Sequence, residues 1–145
     1  MKGKQLLIVV LLAIFAIVAA TPLRGVMVKR GVILAGIKPE LFPGISEARE
    51  VYREHGYQFW ITSGVEGVHG KGSLHPLGLA ADFRVRDPGP TGDGSDGQWD
   101  IPIPERKLMA KEIGRRSGEN YDVVLKADHI HIEYQPDRWV RFVSS

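Results

Sequence analysis

Ser73-Leu74-His75-Pro76-Leu77-Gly78-Leu79-Ala80-Ala81-Asp82-Phe83-Arg84-Val85 runs from a loop into a strand, with a histidine before the junction and an aspartate after it. The loop reading rests on glycine. Gly64, Gly67, Gly70, Gly72 and Gly78 crowd residues 64 to 78, too densely for the interior of a helix or strand. Leu79 to Val85 then resumes as a short strand. A second stretch, Asp128-His129-Ile130-His131-Ile132-Glu133, reads as another strand. His69, His75, His129 and His131 fall in or beside these two stretches, and His55 is the one histidine elsewhere. Zinc takes three imidazole or carboxylate ligands at about 2.0–2.2 Å and keeps a fourth position open when it is catalytic. His75, Asp82 and His131 supply that set, and Gly78 lets the backbone turn between the first two. His129 and His131 are two apart, so a regular strand points both to one face. Asp128 either points away or belongs to the preceding loop, and spacing leaves both open.

Outward from these stretches the chain alternates helices and strands. Pro39-Glu40 suits a first helical turn, and Ile45, Ala48, Val51 and Tyr52 keep helical spacing up to Gly56. Phe59-Trp60-Ile61-Thr62 is β-branched and aromatic and enters a Ser63-Gly64 turn. Residues 87–100, DPGPTGDGSDGQWD, form a polar surface loop. Pro104 opens a second helix with Leu108, Met109 and Ile113 as its apolar stripe and Gly118 past its end. Tyr121 to Leu125 and His129 to Tyr134 read as strands, with Trp139 to Val143 as a closing candidate. The alternation around long loops predicts an α+β domain.

At 145 residues, with 43% hydrophobic and 25% charged, the chain has the length and composition of one globular domain. Lys plus Arg number 19 against 17 Asp plus Glu, a net charge of +2. That balance argues against a nucleic-acid binder with a dense basic face. Cysteine is absent, which excludes disulfides, thiolate zinc sites and thiol catalysis. The N-terminus stands apart. Lys2 and Lys4 precede an unbroken apolar run from Leu6 to Ala20, shorter than the roughly 20 residues that span a bilayer. Small residues at Val18 and Ala20, before Thr21-Pro22, fit a signal-peptidase site. We therefore expect an export signal or membrane anchor over 1–20, a linker and lead-in over 21–37, and the domain over 38–145. The compartment expected is the periplasm or cell envelope, with the membrane touched only through residues 6–20 if they are retained.

The two site stretches also carry a resemblance. Ser73-x-His75-x-x-Gly78-x-Ala80-x-Asp82, followed by Asp128-His129-x-His131, resembles the paired signature of the M15 zinc peptidases, which include D-alanyl-D-alanine carboxypeptidases, VanY-like enzymes and phage endolysin peptidases. Ile61-Thr62-Ser63-Gly64 is similar to that family's strand-and-turn lead-in, and the resemblance spans residues 38 to 134. It implies a small antiparallel sheet with flanking helices, of the hedgehog and DD-peptidase type. It also implies Zn2+ held by His75, Asp82 and His131, with Asp128 as the general base three residues before the last ligand. The implied partner is the peptidoglycan stem peptide. Many members carry Arg shortly after the Ser-Gly turn to bind a substrate carboxylate. This chain has Val65 and Glu66 there, and Arg84 or Arg86 can supply the charge instead.

The resulting expectation is a zinc peptidase cutting stem-peptide bonds, as a carboxypeptidase or as an endopeptidase. Zinc would lower the pKa of bound water to about 7 and polarise the carbonyl, while Asp128 moves the proton to the leaving amine. His129 either hydrogen-bonds the oxyanion, orients a ligand, or is simply exposed. Substrate contact by His69 and Ser73 is weighed against solvated loop residues. Neither Ser63 nor Ser73 sits in a Gly-x-Ser-x-Gly elbow, which argues against a serine hydrolase. His55 reads as a cation at a helix C-terminus, Trp60 as core, and Trp99 as core-free loop or groove lining. Asp93, Asp96 and Asp100 read as a solvated loop rather than a calcium site. The rival reading is a non-catalytic, zinc-holding module that binds cell-wall peptide.

Overall fold

The structure is a computed structural model that describes residues 25–86 and 100–136. The export segment, Trp99, Asp93, Asp96 and the strand expected at Trp139 to Val143 lie outside the described residues. The strands are β1 (Val26–Val28), β2 (Phe59–Ser63), β3 (Ala80–Arg84), β4 (Tyr121–Leu125) and β5 (His129–Tyr134). The helices are α1 (Phe42–Glu54) and α2 (Ile103–Ser117), with short 3-10 turns at Pro39–Leu41 and His75–Leu77. The α+β reading stands.

The five strands form one sheet in the order β1-β2-β3-β5-β4. Three of the four pairings are antiparallel, but β1 runs parallel to β2, pairing Val26 with Phe59 and Val28 with Ile61. The sheet is therefore mixed rather than antiparallel. The reason is connectivity: α1 lies between β1 and β2 and provides the long crossover that a parallel pair requires.

The two faces of the sheet have different jobs. Phe59, Ile61, Ala81, Phe83, Ile130 and Ile132 alternate onto one face and are buried against the helices. From α1 come Gly44, Ala48, Val51 and Tyr52. Gly44 sits so close to the sheet that a Cβ there would come within 2.6 Å of Ile132 and of Tyr121. From α2 the buried residues are Arg106, Met109, Ala110 and Ile113, an i, i+3, i+4, i+7 stripe. Leu108, expected in that stripe, is 61% exposed, because its position is rotated about 100° from Met109. Arg106 takes an inner place and satisfies its guanidinium on the carbonyls of Ile101 and Ala127 and on Asp100. His55 stands at the C-terminal end of α1, the position expected for it, and its ring lies beside Glu105 and Glu112 of α2. Among the described residues no helix is long and apolar enough to cross a membrane.

Candidate metal centre

The opposite face gathers the polar residues. Asp82 of β3 lies directly across from His131 of β5, and Arg84 across from His129, so the period-2 alternation that buries Ile130 and Ile132 turns both histidines outward together. His75 reaches the same place from its 3-10 turn. Gly78 ends that turn at φ 72°, a left-handed conformation, and a Cβ there would meet the Gly36 carbonyl oxygen at 2.0 Å. Only glycine brings the chain from His75 back into β3 at this point.

Three imidazoles converge on one carboxylate oxygen. Asp82 Oδ1 lies 2.7 Å from His131 Nδ1, 3.3 Å from His75 Nε2 and 3.6 Å from His129 Nε2. The donor atoms of His75, Asp82 and His131 all lie within 4.8 Å of one another, a group that could hold a metal ion. The group fits zinc in chemistry: two imidazoles and one carboxylate, with neighbours that orient each ring. His75 Nδ1 donates to the Gly64 carbonyl at 2.7 Å, which leaves Nε2 facing the site. His131 Nε2 donates to Glu133 at 3.2 Å, which leaves Nδ1 facing Asp82. Glu133 in turn accepts from Gln135.

The electrostatics follow from this crowding. Burial alone would raise the Asp82 pKa, but hydrogen bonds from His131 and His75 overcome it and hold the carboxyl far below the ordinary carboxylate range. Burial would lower His75 and His131. Asp82 and the Gly64 carbonyl outweigh it for His75, and Asp82 and Glu133 outweigh it for His131, so both rings hold a proton above the usual 6.5.

No family model, curated protein or solved structure matches this chain.

The other residues singled out in the sequence fall into place unevenly. Asp128 belongs to the bend before β5, its side chain is 65% exposed, and its Oδ1 accepts from His129 Nδ1 at 2.7 Å. His69 stacks flat on His75, with centroids 4.5 Å apart and planes 6° from parallel. Ser73 Oγ accepts the His75 backbone N–H at 3.3 Å and so braces the turn. Trp60, read as core, alternates onto the site face, where the Arg84 guanidinium lies 5.0 Å from its ring centre. No contact with His131 was expected of Glu133. The signal for it was present, since it stands two positions after His131 on the same strand face. A groove of about 410 Å³ between α2 and β4, lined by Lys111, Arg115, Glu119 and Asp122, lies apart from this centre.

Proposed function

We propose that this chain is a zinc-dependent peptidase that hydrolyses peptide bonds of the peptidoglycan stem peptide, similar to the M15 zinc peptidases. The observation behind this reading is the convergence of His75, His129 and His131 on Asp82, with Asp128 behind His129. His75, Asp82 and His131 would hold the ion, which when bound lowers the pKa of water and polarises a carbonyl. His129 presents Nε2 on the site side while Asp128 holds its Nδ1 proton. That arrangement suits a proton acceptor at Nε2, with the carboxylate stabilising the resulting imidazolium. Arg84, paired with His129 across the sheet and lying over Trp60, supplies a cation for an anionic group of the substrate. Export through residues 6–20 would place the enzyme in the envelope with its substrate.

A second reading is a zinc-holding module that binds cell-wall peptide without cutting it. Its support is that Asp128 is largely exposed and pairs with His129 rather than with a candidate ligand. Incubating the zinc-loaded protein with purified peptidoglycan and analysing the soluble fragments by mass spectrometry separates the two. New free termini within the stem peptide support the peptidase and identify the bond. Binding to peptidoglycan without release of fragments supports the module.

A further inference from the structure

Glu66 holds a position that the proposed mechanism does not use. It follows β2 in the glycine-rich loop, and its carboxylate is occupied entirely by backbone and near neighbours. Its Oε2 accepts from the Ile33 N–H at 2.8 Å, and both oxygens lie 3.0 Å from the Gly64 N–H. Burial would raise its pKa, but these backbone donors outweigh burial and keep it below the ordinary range. Gly64 is fixed from a second direction as well. A Cβ at that position would stand 2.4 Å from the Ile33 carbonyl oxygen, so the residue is clamped between Ile33 and Glu66.

Gly64 reaches His75 directly, and Glu66 reaches it through His69. The carbonyl of Gly64, the residue whose N–H Glu66 binds, accepts the His75 Nδ1 proton at 2.7 Å. The main-chain carbonyl of Glu66 itself accepts from His69 Nε2 at 2.5 Å, and the His69 ring covers the face of His75. One residue thus sets the edge of the His75 ring through Gly64 and its face through His69.

We infer that Glu66 is a positioning residue for the metal centre, presetting His75 with Nδ1 protonated and Nε2 directed at the site before any ion arrives. The inference rests on the reading that His75 is a metal ligand. Outer-shell partners of this kind commonly change metal affinity by about 10–100-fold when removed. Glu66→Ala should weaken zinc binding in that range, measured by competition with a chromogenic chelator, with the far-ultraviolet circular dichroism unchanged. Glu66→Gln, which keeps one acceptor oxygen, should fall between Ala and wild type. In the metal-free wild-type protein, NMR should show a slowly exchanging His75 Nδ1 proton, and Glu66→Ala should lose it.

Wild-type zinc affinity together with a retained His75 Nδ1 proton in Glu66→Ala would overturn the inference. If Glu66→Ala does not fold, the same two readings on Glu66→Gln decide: both unchanged overturns it, both weakened supports it. If the wild-type protein takes up no zinc, the metal reading fails by itself. The NMR comparison in metal-free protein then still tests whether Glu66 sets His75.

Discussion

His129 Nδ1 donates to Asp128 Oδ1 at 2.7 Å, so the carboxylate expected to act as general base meets the site through an imidazole. The far nitrogen of that ring, Nε2, is 3.6 Å from Asp82 Oδ1. Under the proposed function, this order makes His129 the group that exchanges protons and Asp128 the carboxylate that orients it.

Asp128→Ala should accordingly keep the fold and the metal but lower hydrolysis of a muropeptide by about 10²–10⁴-fold. His129→Ala should cost at least as much. The double variant should be no slower than His129→Ala, because residues that act as one unit are not additive. Turnover of Asp128→Ala at the wild-type rate would remove the pair from the mechanism.

The ligands should behave differently from the relay. His75→Ala, Asp82→Ala and His131→Ala should each reduce zinc content sharply, since three donors leave no spare. Glu133→Gln should retain zinc but bind it about 10–100-fold more weakly, because Glu133 holds the His131 Nε2 proton. Elemental analysis after dialysis against a weak chelator distinguishes the two classes. Full stoichiometry in all three ligand variants would sink the assignment.

The pH dependence has a defined sign. Zinc needs unprotonated rings, and His75 and His131 hold their protons above 6.5 in the metal-free protein. Zinc affinity should therefore fall steeply as pH drops through that raised range. Metal-free stability runs the other way. The two rings contribute fully below 6.5 and lose that contribution as pH rises through their folded values. Asp82 contributes fully above 3.8 and loses its contribution as pH falls toward its lower folded value. The contribution of the cluster is thus largest between these two limits. Urea unfolding of metal-free wild type and Asp82→Asn across pH should show the greatest difference in that mildly acidic window. A difference that peaks in alkaline solution would contradict this.

Gly44 offers a test of the packing that supports the site from behind. A Cβ there would press on Ile132, which is fully buried, and on the Tyr121 ring, whose hydroxyl is tied to the Glu40 carbonyl at 2.5 Å. Neither neighbour yields freely. Gly44→Ala should cost about 1–3 kcal/mol through overpacking, despite the better helix propensity of alanine. Chemical denaturation measures it, and a gain in stability would show that α1 can lift from the sheet.

What the sequence determined by itself was local. Helix spacing, β-branched runs and glycine-rich breaks marked α2 and β2 to β5 to within a residue or two and α1 to within three, its expected first turn at Pro39 being a 3-10 turn, because each signal lies within a few neighbouring positions. The period-2 rule likewise turned His129 and His131 to one face. Tertiary structure decided the rest. The parallel pairing of β1 belongs to three residues too short to announce a partner, and it depends on where α1 carries the chain. The exposure of Leu108 depends on which face of α2 meets the sheet. Asp128 and His129 are neighbours in sequence, yet their bond depends on the bend that starts β5. Glu66 binds an N–H 33 residues away, and His131 meets an aspartate 49 residues away. Contacts across such separations leave no periodicity in the chain, so folding alone brings these groups together.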